Sequence, residues 1–178
     1  NEKTEDVKIY APSAKILVVD DTEINLKVVK GQLKNTGMQV DTATSGSECL
    51  DMVKKKKYHI IFLDHKMPGM DGIFTLHNLQ NRDTLNNVIP VIALTANVGF
   101  GAKESYLKEG FSEFLAKPVS EINLKKILLK YLPSDILMEE EAGENISEQI
   151  EEEEIPENHI MVRHLNMDAG IEACGSKD

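Results

Sequence analysis

The stretch HIIFLDHKMPGMDG, residues 59–72, decides the fold. Its apolar run, residues 59–63, stops abruptly at Asp64, and a turn containing Met67-Pro68-Gly69 follows. A short apolar run that ends at turn-forming residues is typical of a buried strand. An aspartate directly after such a strand lies at the carboxyl edge of the sheet, where open α/β folds bind their ligands. The role of Asp64 therefore depends on which other side chains reach the same edge.

Five apolar runs alternate with helical patterns. The predicted strands cover residues 15–19, 38–43, 59–63, 88–94 and 111–116. Helical spacing of apolar residues predicts a helix after each strand, around 26–33, at 45–57, around 73–79, at 102–108 and at 120–131. The lysines at 54–57 are predicted to form the solvated end of the second helix. Regular alternation of this kind favours an α/β fold, a parallel sheet with helices on both faces.

Composition and charge exclude several classes of function. Residues 1–133 carry 18 Lys/Arg against 16 Asp/Glu, whereas residues 134–178 carry 2 against 14, so the acidity belongs to the tail. We expect no nucleic-acid partner, because no basic face with interleaved aromatic residues is visible. We expect no membrane contact, because no apolar run is long enough to span a bilayer. Cys49 and Cys174 form no close pair, which indicates a reduced, cytoplasmic protein.

Polar side chains at the strand ends converge in a parallel sheet. They belong to different predicted strands, and they are Asp20, Asp21, Asp64, Thr95 and Lys117. Clustered carboxylates repel one another unless a cation joins them, and Mg²⁺ prefers such oxygen ligands. An aspartate, a lysine and a hydroxyl beside a metal are also what a phosphoryl group needs. Alternatively, the first two aspartates merely end a strand and cap a helix. The bond between Lys117 and Pro118 can be cis, which would fix the direction of the lysine.

Five motifs in this order and spacing closely resemble the receiver domain of bacterial two-component response regulators. They are ILVVDD, FLD, MPGMDG, ALTA and FLAKP, spread over residues 14–133. The resemblance implies a flavodoxin-like (βα)₅ doubly wound sheet with strand order 2-1-3-4-5. It implies that Asp64 is the phosphoacceptor. Asp21 and Asp64 would be direct metal ligands, Asp20 would act through water, and the Lys66 backbone carbonyl would complete the set. Thr95 and Lys117 would contact the phosphoryl group.

The resemblance also implies a conformational switch. Thr95 would move towards the phosphoryl group, and Phe114, three residues before the lysine, would follow into the space left behind. The surface of the fourth helix, fifth strand and fifth helix would then change, and it is also a candidate dimer contact. Phe114 has no hydroxyl, unlike the tyrosine found in many family members. We expect His65 to have a packing or solvent-edge role, and the Lys66 side chain to affect how long the phosphoryl group lasts.

The rest of the chain predicts the context of this domain. We expect a leader at 1–13, the receiver at 14–133, an acidic linker at 134–165, and at 166–178 the truncated start of a histidine-phosphotransfer domain. Neither His159 nor His164 is assigned as the acceptor of such a domain. This order resembles the end of a bacterial hybrid sensor histidine kinase, which would be the cytoplasmic part of a membrane-anchored sensor. The partner would be a kinase or phosphotransfer domain carrying phosphohistidine.

Three other functions compete with this hypothesis. A stand-alone response regulator would keep the receiver and signal by protein contact. A flavodoxin-type cofactor binder would need a phosphate-binding loop rich in Ser, Thr and Gly after the first strand, where this chain has Asp20 and Asp21. An aspartyl-phosphate hydrolase would need an Asp-x-Asp motif and a cap domain. The sequence shows no ATP-binding kinase core. Whether the chain is an enzyme is left open beyond self-phosphorylation from a donor and slow autodephosphorylation.

Overall fold

Five parallel strands form the centre of the part of the chain that the structure describes. The computed structural model describes residues 8–81, 89–96, 99 and 101–138. The strands are β1 (Lys15–Val19), β2 (Gln39–Ala43), β3 (Ile60–Asp64), β4 (Val91–Thr95) and β5 (Glu113–Ala116). Their order across the sheet is β2-β1-β3-β4-β5, and every neighbouring pair is parallel. The predicted fold class and strand order are confirmed. The predicted start of the fourth strand, Val88, lies outside the described residues.

A helix follows each strand. The helices are α1 (Glu23–Gln32), α2 (Gly46–Val53), α3 (Gly72–Gln80), α4 (Ala102–Glu109) and α5 (Glu121–Tyr131), with short 3₁₀ turns at Lys34–Thr36 and Ser134–Ile136. Side-chain oxygens of Ser45, Asp71 and Ser120 accept a backbone N–H in the first turn of α2, α3 and α5. Within the described ranges, no helix is both long and apolar enough to cross a membrane.

The sheet separates two apolar layers. Alternate strand residues point to opposite faces, so Ile60 and Phe62 pack with α1 and α5, whereas Ile61 and Leu63 pack with α2, α3 and α4. Cys49 is buried in the second layer, and burial raises the pKa of its thiol to about 12. This thiol is therefore protonated at neutral pH. The other cysteine lies outside the described residues.

The second helix is shorter than predicted. It ends at Val53, and the backbone N–H groups of Lys55 and Lys56 both donate to the Met52 carbonyl, which closes a turn. The prediction that residues 54–57 form a helix end is wrong. Tyr58 is buried in the core, with 1% of its surface exposed, and its hydroxyl donates to Asp41. Lys56 pairs with the same carboxylate.

The folded unit extends beyond both bounds predicted for the receiver. Ile9 and Ala11 are buried on the α1–α5 side of the sheet. After α5, residues 136 and 137 pack on the same layer, and the Met138 N–H donates to the Tyr10 carbonyl in an isolated antiparallel bridge. Residues 8–13 and 134–138 are thus part of the fold, because their apolar side chains cover α1 and α5. The remaining part of the predicted acidic linker and the predicted phosphotransfer segment lie outside the described residues.

His59 gives the fold a predicted dependence on pH. Burial lowers the pKa of His59, and the charges of Lys15 and Lys57 act in the same direction. The Lys15 backbone N–H donates to His59 Nδ1 at 2.9 Å, which requires an unprotonated nitrogen. Because the unfolded chain binds this proton more readily, the stabilisation is complete above the ordinary pKa of about 6.5 and is lost as pH falls below it.

We therefore expect the free energy of unfolding, measured by urea titration, to be lower at about pH 5.5 than at about pH 7.5. The His59→Asn variant can accept the same bond through its amide oxygen and does not titrate. Its loss over that interval should be smaller than the loss of the parent. An identical loss in both proteins would show that His59 is not responsible.

Candidate functional site

Three strand ends bring charged side chains into contact. Asp20 follows β1, Asp64 ends β3, and Lys117 follows β5. The Lys117 ammonium lies 2.6 Å from Asp20 Oδ2 and 2.9 Å from Asp64 Oδ2. The peptide bond between Lys117 and Pro118 is cis. The structure therefore brings together the acidic and basic residues that the sequence predicted at this edge.

The acidic cluster is partly buried and held by its own loop. Asp20 is fully buried, and its Oδ1 accepts the Thr22 backbone N–H at 2.9 Å and the Asn25 side-chain N–H at 3.0 Å. Asp21 is exposed, and carboxylate oxygens of Asp20, Asp21 and Asp64 lie within 4.8 Å of one another. Sequence reasoning missed Asn25, although its place in the first turn of α1 puts it beside the preceding loop.

Two glycines let the loop after β3 close tightly over Asp64. Gly69 has a positive φ of 77°. At Gly72, the first residue of α3, a Cβ would overlap the Asp64 carbonyl oxygen. At the start of this loop, the Lys66 backbone N–H donates to Asp64 Oδ1 at 3.2 Å. One Asp64 oxygen thus faces Lys117 and the other faces the loop.

Burial and charge act against each other in this cluster. Burial raises the pKa of Asp64, although the Lys117 ammonium and the Lys66 N–H act in the opposite direction. Burial opposes the charge of Lys117, but the carboxylates of Asp20 and Asp64 outweigh it and raise the pKa of the lysine. The ammonium therefore stays charged at neutral pH, and it neutralises part of the negative charge that a metal ion would otherwise share.

Thr95 lies at the same edge, but its hydroxyl contacts a different residue. Thr95 Oγ1 lies 2.7 Å from the Tyr106 hydroxyl of α4, and both residues are buried. The Tyr106 ring stacks on Phe114 with centroids 6.0 Å apart, and His65 meets the Tyr106 ring edge-on at 5.2 Å. This agrees with a packing role for His65. Sequence reasoning missed Tyr106, because a single tyrosine in a helix carries no signal of its own.

An open cavity of about 500 Å³ lies at this edge of the sheet. It is bordered by Asp21, Thr22, Asp64, His65, Lys66, Thr95, Ala96 and Lys117. Its lining offers carboxylate oxygens for a hard cation and the Lys117 ammonium for an anion, and Thr95 lies beside them. Such an arrangement suits a phosphoryl group bound together with a divalent metal. A family model described as the response regulator receiver domain matches residues 16–129. The chain belongs to this family.

Relatives of this receiver occur within much larger kinases. It is 38% identical over 121 residues to hybrid signal transduction histidine kinase F of Dictyostelium discoideum, covering 66% of this chain and 11% of that protein. It is 36% identical over 121 residues to the signal transduction histidine-protein kinase BarA of Escherichia coli K12, covering 66% of this chain and 13% of the kinase. The chain thus spans only a small part of the kinases it matches. A bacterial origin stays a prediction.

A solved receiver domain shares the architecture. It belongs to a sensor histidine kinase of Pseudomonas aeruginosa PAO1 and has a magnesium ion coordinated in its active-site cleft. It is 29% identical to this chain, with a TM-score of 0.60, and the alignment covers 66% of this chain and 96% of that one. The flavodoxin-type and hydrolase alternatives are set aside, because the receiver family accounts for the sheet order and for the acids together.

Proposed function

We propose that this receiver takes a phosphoryl group from a phosphohistidine onto Asp64, with Mg²⁺, as a step in a two-component phosphorelay. The observation that carries the proposal is the position of the Lys117 ammonium, which contacts both Asp20 and Asp64 and lines the same cavity as Asp64 and Thr95. A carboxylate with one oxygen beside an ammonium and space in front of it is suited to nucleophilic attack.

The transfer is a displacement at phosphorus. An Asp64 oxygen forms an O–P bond while the P–N bond to the donor imidazole breaks. The imidazole nitrogen keeps the electron pair of that bond and takes up a proton, so the products are an acyl phosphate and a neutral histidine. Lys117 then neutralises charge on the phosphoryl oxygens, and the Thr95 hydroxyl donates to one of them.

The acids present fit a magnesium ion. Three carboxylates with oxygens within 4.8 Å of one another, two of them buried, form a hard-oxygen donor set. We propose Asp21, Asp64 and the Lys66 carbonyl as ligands, with Asp20 acting through water. The ion would offset negative charge on the acceptor and the phosphoryl group. The exposed Lys66 side chain lines the same cavity, where it can hinder attack by water on the acyl phosphate.

We propose that phosphorylation is sensed on the surface of α4, β5 and α5. Thr95 would turn towards the phosphoryl group, and Phe114 would follow it. Phe114 is half-buried and its ring stacks on Tyr106, whose hydroxyl lies beside Thr95, so a movement of Thr95 changes the packing around Phe114. This surface would bind the partner that receives the signal, and a second copy of the receiver is a candidate for that contact.

We place this receiver in a hybrid histidine kinase on the cytoplasmic side of a membrane. The relatives that name a hybrid kinase support this context over a stand-alone regulator. A kinase or phosphotransfer domain carrying phosphohistidine would be the partner. The predicted linker at 134–165 and the predicted phosphotransfer segment at 166–178 fit this context.

A labelling experiment tests the proposal. The chain is incubated with Mg²⁺ and a small acyl phosphate, and intact mass spectrometry follows the addition of one phosphoryl group. We expect a single adduct that is stable in acid, labile in base and absent when EDTA is present during the incubation. Fragment analysis should place it on Asp64. No adduct, or an adduct on another residue, would overturn the assignment.

A further inference from the structure

The Thr95 hydroxyl is held by a residue outside the acidic cluster. Tyr106 lies within α4 at 5% exposure, and its hydroxyl is 2.7 Å from Thr95 Oγ1. A buried hydrogen bond between two hydroxyls is costly to break without replacement, because each group would lose a partner away from water. The position of Thr95 in this structure is therefore stabilised from α4.

Strand alternation places this bond on the opposite side of the sheet from the acceptor. Leu63 and Ala93 pack in the layer of α2, α3 and α4, and Thr95, two residues after Ala93, continues on that side. Asp64 follows Leu63 and therefore turns towards the α1–α5 side, where Lys117 meets it. The Thr95 hydroxyl must turn away from α4 to reach a phosphoryl group on Asp64.

We propose that Tyr106 is a positioning residue that holds Thr95 in its unphosphorylated arrangement. This inference rests on the proposed phosphorylation of Asp64. The hydrogen bond to Tyr106 exists only while Thr95 faces α4, so it stabilises the resting state relative to the phosphorylated one. A ligand that favours the second state must overcome this difference, and its apparent affinity is reduced accordingly.

Tyr106 also connects Thr95 to the proposed output surface. Its ring stacks on Phe114 at an interplanar angle of 24°, and Phe111 meets it edge-on at 5.8 Å. Phe114 itself has no hydroxyl. Release of Thr95 therefore removes a bond from α4 directly, and it changes the surroundings of the ring on which Phe114 stacks. The hydroxyl beside Thr95 thus comes from Tyr106 of α4, whereas Phe114 of β5 has none.

The Tyr106→Phe variant tests the proposal. It keeps the ring and removes only the hydroxyl. Beryllofluoride with Mg²⁺ serves as the phosphoryl analogue, and fluorine NMR measures the bound fraction on the full chain. We expect the variant to bind beryllofluoride about fivefold more tightly than the parent, equivalent to the loss of one hydrogen bond of about 1 kcal/mol. Binding of Mg²⁺ alone should be unchanged, because Tyr106 does not touch the acidic cluster.

A double-mutant cycle separates positioning from general packing. In a Thr95→Val background there is no hydroxyl for Tyr106 to hold, so the Tyr106→Phe change should no longer affect beryllofluoride binding. Tyr131→Phe is the matched control. Its hydroxyl donates to the Ser112 carbonyl, remote from the cavity, and its removal should leave the affinity unchanged.

The outcomes distinguish this inference from the proposed function. Unchanged or weaker beryllofluoride binding in Tyr106→Phe, with normal binding by the parent, would overturn the role of Tyr106 alone. A gain that persists in the Thr95→Val background would also overturn it. Failure of the parent to bind beryllofluoride would overturn the proposed function and, with it, this inference. If Tyr106→Phe unfolds, Tyr106→Leu is used, and it must tighten binding in the same way.

Discussion

Replacing Asp64 by Asn is expected to abolish phosphoryl transfer to this chain. The amide has nearly the same shape as the carboxylate but is a poor nucleophile towards phosphorus. The Lys66 N–H can still donate to the retained oxygen, so the loop has no reason to rearrange. In the labelling experiment with Mg²⁺ and a small acyl phosphate, the variant should show no adduct, whereas the parent should be labelled at one site.

Asp71→Asn is the matched control for this prediction. Asp71 lies in the same loop, and its Oδ1 accepts the Phe74 backbone N–H at 2.8 Å as the cap of α3. An asparagine can keep that bond, and the residue does not belong to the acidic cluster. Its labelling should match that of the parent. Labelling of Asp64→Asn at the parent level would mean that the acceptor is another carboxylate, with Asp20 and Asp21 the nearest candidates.

Removal of Lys117 is expected to destabilise the metal-free protein strongly. Asp20 is fully buried and Asp64 nearly so, and the Lys117 ammonium contacts both carboxylates. The Lys117→Ala variant leaves these charges without their cation, for which we expect a loss of about 3 kcal/mol in the free energy of unfolding at neutral pH. Added Mg²⁺ should restore more stability to the variant than it adds to the parent, because it supplies the missing positive charge.

Lys130→Ala provides the comparison. Lys130 pairs with Glu113 at 2.8 Å, but its side chain is 58% exposed, so solvent screens the interaction and little stability should be lost. Urea unfolding of both variants, with and without Mg²⁺, measures the difference. If Lys117→Ala were no less stable than Lys130→Ala in EDTA, the two buried acids would have to be neutralised by some other means.

The fold and the charged part of the site were largely predictable, because they depend on short-range patterns. Apolar runs that stop at Asp20 and Asp64 mark the ends of buried strands, and a parallel sheet places all such ends at one edge. Lys117 was predictable in the same way, because it directly follows the apolar run that forms β5. Neither the distances among these groups nor the metal ligands follow from a pattern, and the ligand roles stay predictions.

The features that the sequence missed depend on packing between distant segments. The hydroxyl contact of Tyr106 requires α4 to lie against the end of β4, which no local spacing reports. The second helix ends at Val53 because Tyr58 must enter the core. The spacing of apolar residues alone predicts a helix that continues through the lysines at 54–57. The segments around Ile9 and Met138 join the fold because they cover α1 and α5, although their sequences resemble linkers.

The bridge between Tyr10 and Met138 brings the entry and exit of the domain side by side. Both residues lie at the amino edge of the sheet, since Tyr10 precedes β1 and Met138 follows the helix that returns from β5. The phosphorylation site proposed here is at the opposite edge, at the carboxyl end of the five-residue strand β3. The two ends of the described domain therefore lie together at the edge opposite Asp64, so the proposed phosphoryl donor can approach the cavity without meeting either of them.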